Sequence, residues 1–392
     1  MSEGQRQNWF ESNPGKAKLL VFLLCLGFLE VLARAGVAAG WLPYWTYATN
    51  REPQYWVDID PIVGRWRFPN THFHNTANCI DVDYETNSVG ARDRERSVRS
   101  DANNRVIVLG DSFAEGWGVD VDDRISNLLE TATGIEHLNF GTASWGTIQQ
   151  WQYYKHYARR YDHSAVFLFA FPQNDFADNN PDLQDHSFYR PYLRKTEGAY
   201  EIFYTVKFDE RNTSERPAYK AIKNAIDNKI YLANVARRAV RLFKERRVKP
   251  ITEPETDYDK FSEADIELFL YVLSRIAALA EDRRLYIITI PTEKDFEAAK
   301  ANDGEFELIR KLRSFAKRTH NVDIVDLAPH FLSDATEFGR AYEDYTFSCD
   351  RHWGALGNRV AADAILEAVY GLPGANAKSA LHKQAEVTAS GP

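Results

Sequence analysis

The stretch Asn104–Asp120, NRVIVLGDSFAEGWGVD, decides the fold of this chain. It begins with an apolar run from Val106 to Leu109 that is rich in β-branched residues and stops at Gly110. Such a short run predicts a strand that is buried on both faces, as in a parallel sheet. Ser112 follows at the carboxyl end of that strand, which is the edge where open α/β sheets bind ligands. The stretch therefore predicts an α/β fold with Ser112 as a candidate nucleophile.

Composition narrows the class of protein. The 392 residues are 44% hydrophobic and 27% charged, which is enough apolar material for a packed core. The net charge of -8 argues against nucleic acid as a partner, because binding to phosphates needs a basic face. Cys25, Cys79 and Cys349 form no CxxC motif, and no nucleotide-binding glycine motif is present, so we expect neither a metal nor a cofactor. Cys79 and Cys349 form a disulfide in an oxidising compartment or remain separate thiols, and both interpretations stay open.

The N-terminal region carries a candidate membrane segment. Residues 1–18 are polar and include basic residues, and Leu19–Leu42 is long enough to cross a bilayer, which takes about 20 apolar residues. Glu30 and Arg34 are costly in lipid, but their i, i+4 spacing lets them pair on a helix. A membrane anchor, a cleaved signal peptide and a buried amphipathic helix are the alternatives. We favour an uncleaved anchor with residues 1–18 in the cytoplasm, because basic residues precede the apolar segment.

Two regions flank the predicted catalytic domain, which we place at residues 104–372. Residues 43–103 are rich in proline and contain one alternating stretch, Ile80–Thr86, which is typical of a strand with one solvent-exposed face. We therefore predict a small extension of strands and loops there. Residues 373–392 lack bulky apolar residues except Leu381, which predicts a disordered tail.

After residue 104 the chain alternates between strand and helix patterns, which implies a parallel sheet covered on both faces. The further predicted strands are Ile135–Phe140, Ala165–Phe171, Leu285–Ile290 and Val322–Leu327, and the later predicted helices are Glu263–Arg283, Phe306–Lys317 and Leu356–Tyr370. We predict a flavodoxin-like three-layer α/β/α fold with a mostly parallel five-stranded sheet. An insertion of about residues 177–262 carries a basic helical run, Ile230–Val248. That run is either a solvated face or a contact for an anionic glycan or lipid head group.

Four loops contribute the residue types that serine catalysis needs. They carry Ser112, then Asn139, Gly141 and Gly146, then Asn174 and Asp175, and finally Asp350 and His352. A serine hydroxyl needs a base, and His352 is the best candidate because histidine titrates near neutral pH. Asp350 is the natural carboxylate to orient that imidazole. The backbone N–H groups of Ser112 and Gly141 and the side-chain amide of Asn174 are the candidate oxyanion-hole donors.

These loops resemble the sequence blocks of the SGNH/GDSL hydrolases. The segment from Gly110 to Phe113 is similar to the nucleophile block, and the matches to the later blocks are Gly141, Asn174, Asp350 and His352. The chain departs from the family pattern in two places. Pro172 begins a block that normally reads Gly-x-Asn-Asp, and the aspartate stands two residues before the histidine instead of three. The resulting Asp-x-His-Trp sequence is similar to SGNH-like proteins of alginate O-acetylation, and parts of residues 60–93 resemble the lead-in of membrane-anchored bacterial members.

The resemblance implies a function. It implies a serine esterase that acts on ester groups, in particular O-acetyl groups, of an extracytoplasmic carbohydrate. A polysaccharide O-acetyltransferase with the same site and a non-catalytic glycan-binding or assembly protein are the alternatives. It also implies a single-pass protein of the inner membrane with a periplasmic catalytic domain, and polysaccharide-synthesis proteins as candidate partners. Four residues beside the site blocks are candidates for substrate contact, and for the tryptophans core packing is the alternative: Asp111, Asp175, Trp145 and Trp353.

Overall fold

The computed structural model describes residues 9–42, 44, 55–77, 80–102, 104–183, 188–210, 218–246, 256–302, 305–348 and 350–373. The strands are β1 (Trp56–Asp60), β2 (Gly64–Arg67), β3 (His72–Ala77), β4 (Ile80–Glu85), β5 (Val106–Leu109), β6 (His137–Asn139), β7 (Ala165–Ala170), β8 (Pro191–Thr196), β9 (Ala199–Tyr204), β10 (Arg284–Thr289) and β11 (Val322–Asp326). The α-helices are α1 (Trp9–Ser12), α2 (Pro14–Ala38), α3 (Ser112–Glu115), α4 (Ile125–Thr133), α5 (Thr147–His156), α6 (Pro172–Asp178), α7 (Ala218–Lys229), α8 (Tyr231–Arg246), α9 (Glu263–Ala280), α10 (Glu293–Asn302), α11 (Glu307–Arg318), α12 (Ala328–Phe338) and α13 (Ala355–Tyr370). Short 3-10 helices cover Val121–Asp123, Ala158–Arg160, Pro181–Leu183 and Tyr342–Tyr345.

Five strands form one sheet with the spatial order β11-β10-β7-β5-β6. All four neighbouring pairs are parallel. Numbered by their own chain order these strands run 2-1-3-4-5, which is the flavodoxin-like order, and a ligand site is expected where the order reverses, beside β5. The predicted three-layer fold is confirmed, and the sheet is wholly parallel.

Successive side chains of each strand point to opposite faces of the sheet, and both faces are buried. Ile107 and Leu109 of β5 belong to one apolar cluster with residues of α5, α9 and α11. Val106 and Val108 belong to a second cluster with residues of α4, α12 and α13. Because both faces are covered, none of these four side chains is more than 2% exposed, and the strand appears in the sequence as an unbroken apolar run.

The predicted N-terminal β extension is confirmed and lies beside the site. Residues 55–75 and 80–102 belong to the same compact unit as the sheet. β1 pairs antiparallel with β2, and β3 pairs with β4. β4 alternates between buried and exposed residues, as its sequence predicted. In β2, Trp66 joins the core cluster of the sheet, so the extension is packed onto the catalytic fold.

A second compact unit contains the described residues that fall within 1–52, 76–78 and 216–250. Its helix α2 is long and apolar enough to cross a membrane, and a signal sequence has the same properties. The predicted pairing of Glu30 with Arg34 is confirmed by an Oε1–Nε distance of 2.8 Å.

The insertion predicted at about residues 177–262 contains β8, β9, α7 and α8.

Several sequence predictions fall on residues outside the described ranges. They concern the first eight residues of the N-terminus that we predict to be cytoplasmic, the tail from residue 374 onward, and the pairing of Cys79 with Cys349.

Candidate active site

Ser112 is the first residue of α3, directly after the turn that follows β5. The Asp111 side chain caps this short helix by accepting a hydrogen bond from the Phe113 N–H at 2.9 Å. Gly110 is required for the turn, because a Cβ there would lie 2.6 Å from the Cβ of Ala114. The turn places Ser112 in the wall of a cavity of about 470 Å³ at the carboxyl edge of the sheet.

His352 lies within hydrogen-bonding distance of Ser112. Its Nε2 is 2.7 Å from the Ser112 Oγ, and its Nδ1 is in contact with the Oδ1 of Asp350. An ionised carboxylate only accepts hydrogen bonds, so we assign the imidazole proton to Nδ1. Nε2 is then free to accept the Ser112 hydroxyl proton, which is the arrangement a serine nucleophile requires. The structure therefore brings together all three residues that the sequence predicted as catalytic.

The two-residue spacing between Asp350 and His352 is accommodated by local backbone geometry. The Oδ1 of Asp350 also accepts the backbone N–H of His352 at 3.0 Å, so one oxygen receives both the ring and the main chain of the same residue. The Nε1–H of Trp117 donates to the other oxygen, Oδ2, at 3.0 Å. Burial by itself raises the pKa of Asp350, but the hydrogen bonds and charge of His352 outweigh that effect and lower the pKa below its ordinary value. The carboxylate is therefore held ionised.

A short antiparallel bridge holds the loop that carries His352. Thr346 pairs with Trp353 across this bridge. The buried Trp353 ring stacks on Phe331 at 5.0 Å and meets the Phe113 ring edge-on at 4.9 Å. This packing fixes the position of the base relative to the helix that carries the nucleophile.

Two candidate donors for an oxyanion belong to residues that line the same cavity, Ser112 and Asn174. The backbone N–H of Ser112 has no acceptor among the described residues. The amide of Asn174, which also lines the cavity, donates one hydrogen to the Oδ2 of Asp111 at 2.8 Å and retains a second hydrogen. Pro172 occupies the first turn of α6, a position that suits proline because no N–H is needed there. The departure from Gly-x-Asn-Asp therefore still delivers Asn174 to the site.

The structure corrects the assignment of Gly141 as an oxyanion donor. Its N–H is already bonded to the Oδ1 of Asn139 at 2.9 Å, and it is not among the residues that line the cavity. Gly141 instead permits close packing, because a Cβ there would lie 2.5 Å from the backbone nitrogen of Glu115. Ser144 lines the cavity with φ at +62°, and its N–H has no acceptor among the residues that the structure describes. Ser144 is therefore a better candidate than Gly141 for the third donor.

Solved structures that match the chain include enzymes of the GDSL family. A lipolytic G-D-S-L protein from Veillonella parvula is 13% identical, covers 68% of this chain and 99% of its own, and has a TM-score of 0.34. A family 2 carbohydrate esterase from Corynascus thermopiles is 12% identical over 70% of this chain and 68% of its own, with a TM-score of 0.37. An acetyl xylan esterase from Butyrivibrio proteoclasticus is 9% identical over 70% of this chain and 65% of its own, with a TM-score of 0.34.

No protein-family model and no curated protein matches the chain. One of these solved structures carries the family name that the sequence blocks suggested. At these identities and TM-scores the likeness carries no argument about activity. The argument for function rests on the side chains of the site.

The structure also corrects two acidic candidates for substrate contact. Asp111 and Asp175 are at most 1% exposed and do not line the cavity. Asp111 orients Asn174, and Asp175 accepts the Phe171 N–H at 2.7 Å. Burial raises the pKa of Asp111 to about 6. Burial, with the nearby charge of Asp111, raises the pKa of Asp175 well above its ordinary value. Both carboxyls therefore hold neighbouring residues of the site in place and do not contact the cavity.

The two tryptophans predicted beside the substrate are core residues, as the alternative interpretation held. Trp145 and Trp353 are at most 2% exposed and lie outside the cavity wall. Trp145 stacks on Trp66 at 5.3 Å, and its Nε1–H donates to the Arg65 carbonyl at 2.8 Å. It therefore joins β2 to the loop after β6.

The cavity wall combines aromatic rings with charged groups. Around Ser112 it is completed by Asp58, Arg65, Trp117, Ala143, Ser144, Phe171, Asn174, Asp178, Phe188, Tyr189, Arg190, Asp350 and His352. Arg190 is held by an ion pair with Asp178 at 2.7 Å and by a hydrogen bond to the Ser144 carbonyl at 2.9 Å. Arg65 lies over the Phe188 ring at 5.3 Å. The wall thus presents flat apolar faces and fixed hydrogen-bond donors to a ligand.

A buried ion pair that the sequence analysis did not predict contacts the turn of residues 141–144. Arg67 of β2 and Glu115 of α3 are fully buried, and their Nη1 and Oε1 atoms are 3.1 Å apart. Arg67 Nη1 donates to the Gly141 carbonyl at 2.8 Å, and Glu115 Oε2 accepts the Ala143 N–H at 2.6 Å. The pair therefore holds both ends of the turn that leads to Ser144. The arginines between residues 65 and 96 were the only signal in the sequence.

Proposed function

We propose that the chain is a serine esterase that acts through an acyl-enzyme on ester groups of a carbohydrate. The observation that carries this proposal is the hydrogen-bonded series Ser112 Oγ, His352 and Asp350 in the wall of an open cavity. Ser112 alone would be read as an ordinary helix-start serine. A serine that only begins a helix has no need of an imidazole nitrogen 2.7 Å from its hydroxyl. The presence of His352 there therefore supports a catalytic role for Ser112.

The geometry supplies a complete acyl-transfer cycle. The Ser112 Oγ attacks the ester carbonyl, its proton passes to His352 Nε2, and Asp350 stabilises the imidazolium. The negative charge on the carbonyl oxygen is met by the N–H groups of Ser112 and Ser144 and by the Asn174 amide. The intermediate collapses as the proton on Nε2 passes to the leaving alcohol oxygen. A water molecule then gives a proton to His352 Nε2 and attacks the acyl carbon. The second intermediate collapses as that proton passes to the Ser112 Oγ, which releases the acid and restores the serine hydroxyl.

The substrate assignment rests on the cavity and on the sequence resemblance. Rings of Trp117, Phe171 and Phe188 alternate in the wall with the polar groups of Arg65 and Arg190. Binding sites use such a mixture of apolar area and a few placed polar groups to orient a ligand. We infer that an O-acylated sugar, in particular an O-acetylated one, occupies this cavity, as the SGNH blocks implied.

The decisive experiment measures ester turnover by the full chain in detergent. Wild-type protein is expected to hydrolyse p-nitrophenyl acetate and to react with a fluorophosphonate probe at Ser112. Ser112→Ala should reduce both signals to background, and Ser126→Ala is a matched control, because Ser126 is also a buried serine near a helix start. Equal turnover by wild type and Ser112→Ala would refute the proposal.

The same assay separates hydrolysis from transfer. With an acetylated oligosaccharide the esterase releases free acetate, which titration detects. Adding a bare oligosaccharide gives an acetylated product only if a sugar hydroxyl replaces water as the acceptor. Dominant sugar acetylation would replace the esterase assignment with that of an O-acetyltransferase.

For location, we propose that α2 anchors the chain in the inner membrane and that the catalytic unit lies in the periplasm. The length and apolar character of α2 support the anchor, and the basic residues before it support the orientation. A phosphatase fused after residue 100 should be active, and the same fusion after residue 8 should be inactive. The reverse pattern would overturn the orientation. A mature N-terminus beyond residue 38 would overturn the anchor.

A further inference from the structure

Helix α7 presents an apolar face to the outside of its unit. Tyr219, Ile222, Ile226 and Ile230 follow each other at spacings of three and four residues, which puts them on one side of a helix. Each is between 44% and 65% exposed. Isolated exposed apolar residues are common, but three in line on α7, continued by Ile230 directly after it, form a stripe, and such stripes mark interaction sites. We call this set the α7 stripe.

Lysines border the α7 stripe. Lys220 and Lys223 lie on one side of it around the helix, Lys229 lies on the other, and all three are exposed. From residue 218 to residue 246 the chain contains eight lysines and arginines and only two acidic residues, although its net charge is -8. An apolar face edged by cations is the pattern of a helix that lies in a membrane interface, where lysine ammonium groups reach up to the head groups.

Polar contacts join the end of the α7 stripe to the apolar helix α2. The carboxylate of Glu30 accepts the backbone N–H groups of Tyr231 and Leu232, the first residues of α8, at 3.0 and 2.8 Å. Arg34 donates to the carbonyl of Lys229, at the end of α7, at 2.6 Å. Glu30 and Arg34 thus use their charges to cap two helix ends, where each sign of charge is favoured. The junction of α7 and α8 is therefore fixed at one height along α2.

That height is inside a bilayer crossed by α2. If Leu19 lies at the inner edge of a hydrocarbon core of about 30 Å, a helix that rises about 1.5 Å per residue places Glu30 at about 16 Å, near the midplane, and Arg34 at about 22 Å, in the outer part. The polar pair would therefore lie below the outer head groups, in contact with lipid, if nothing covered it. The α7–α8 junction supplies the missing partners at that level. Ile226 and Ile230, next to the junction, then face the acyl chains.

We propose that α7 and the start of α8 form a second membrane-binding element that lies in the outer interface of an anionic bilayer. The α7 stripe contacts the acyl chains, and the bordering lysines contact lipid phosphates. This inference rests on the proposed anchoring by α2 and adds to it. The catalytic unit would then be attached to the membrane at two places in the sequence, before residue 40 and between residues 218 and 246.

The test measures the depth of single labels in the full chain. Cys25, Cys79 and Cys349 are first replaced by serine or alanine, and one cysteine is introduced as Leu23→Cys, Ile222→Cys or Thr336→Cys. Thr336 is an exposed residue of α12 in the unit that carries the catalytic site. Each variant is labelled with an environment-sensitive fluorophore and reconstituted into vesicles of phosphatidylcholine and phosphatidylglycerol. Lipids brominated in the upper acyl chain quench labels in the membrane, and aqueous iodide quenches labels in water.

The proposal expects brominated lipid to quench the labels at residues 23 and 222, and iodide alone to quench the label at residue 336. Adding Ile226→Glu should reduce lipid quenching at residue 222 several-fold while leaving residue 23 unchanged. Replacing Lys220, Lys223 and Lys229 by glutamine should weaken that quenching most in vesicles that contain phosphatidylglycerol.

Three results would overturn the proposal and identify what failed. A label at residue 23 that lipid does not quench shows that the anchor itself is absent. A label at residue 222 that iodide quenches, with residue 23 still in lipid, shows that α7 lies in water beside an intact anchor. A label at residue 222 that neither quencher reaches shows that protein covers the α7 stripe.

Discussion

The buried pair of Arg67 and Glu115 gives the sharpest quantitative prediction. Both side chains are 0% exposed, and the pair connects a strand of the N-terminal extension to the helix of the nucleophile. Glu115→Gln conserves the volume and leaves a carbonyl oxygen that can still accept the Ala143 N–H. The substitution therefore removes the negative charge that compensates Arg67 and places an NH2 donor against its guanidinium.

The expected loss follows from the burial of the guanidinium. Removing one partner of a buried ion pair costs about 3–5 kcal/mol, because the other charge remains desolvated and uncompensated. A typical protein is stable by about 5–15 kcal/mol, so the catalytic unit of Glu115→Gln should unfold at a clearly lower urea concentration. The matched control is Glu267→Gln, whose partner Lys195 lies on the surface, with side chains 56% and 51% exposed. An exposed pair contributes about 0–1 kcal/mol, so the control should unfold close to wild type.

Urea unfolding followed by tryptophan fluorescence is a suitable assay, because Trp66 lies against Arg67 at 4.5 Å. The double variant Arg67→Met/Glu115→Gln removes both charges and keeps the acceptor for Ala143. It should be less destabilised than the sum of the single variants by about 2 kcal/mol or more, since contacting residues couple. Two results contradict this reasoning. They are a Glu115→Gln loss no larger than that of Glu267→Gln, and single losses that simply add.

Three further predictions concern the site itself. Asn174→Ala should lower kcat about 10²–10³-fold with little change in KM, as loss of one oxyanion donor does elsewhere; steady-state kinetics that show an unchanged kcat would remove Asn174 from the oxyanion hole. Trp117→Phe removes the hydrogen bond to the Asp350 carboxylate, and a charge-assisted bond of about 1.5–3 kcal/mol predicts a fall in kcat/KM of about tenfold or more; wild-type kinetics would show that His352 alone orients the carboxylate. Burial raises the pKa of Asp111 to about 6, so the folded state binds the proton more tightly than the unfolded state and stability falls as the pH rises from about 4 to 6. When the free energy of unfolding is measured at each pH, its fall between about pH 4 and pH 6 should be smaller in Asp111→Asn than in wild type by up to about 3 kcal/mol. An unchanged fall would mean that another group causes the pH dependence.

The strands and the reacting groups could be predicted because both depend on local sequence. β5 is an unbroken apolar run, and Ser112 must follow it by a fixed number of residues if the turn is to end at the sheet edge. The same holds for Asn174 after β7 and for His352 before α13. In a parallel sheet the carboxyl ends of all strands meet at one edge, so locating each loop was sufficient to bring the residues together.

The identity of the oxyanion donors depended on contacts that no spacing rule encodes. Gly141 and Ser144 lie in the same loop, and either could present an N–H. The choice is made by Asn139, whose side chain occupies the Gly141 N–H, and by the positive φ of Ser144. Likewise, the position of Asp111 beside the nucleophile suggested substrate contact, whereas its side chain turns inward to the helix start and to Asn174.

The N-terminal extension supports the loops of the candidate active site. Arg67 donates to the Gly141 carbonyl in the turn that leads to Ser144. Arg92 donates to the carbonyl of Val119 at 2.7 Å, two residues after Trp117. Its Arg65 also lines the cavity that contains Ser112. A chain that began at residue 104 would keep every member of the Ser-His-Asp series, yet it would leave the carboxylate of Glu115 buried without its cation. Because an uncompensated buried charge is among the most destabilising features a fold can contain, the extension and the sheet must fold together for Ser112 to be placed at all.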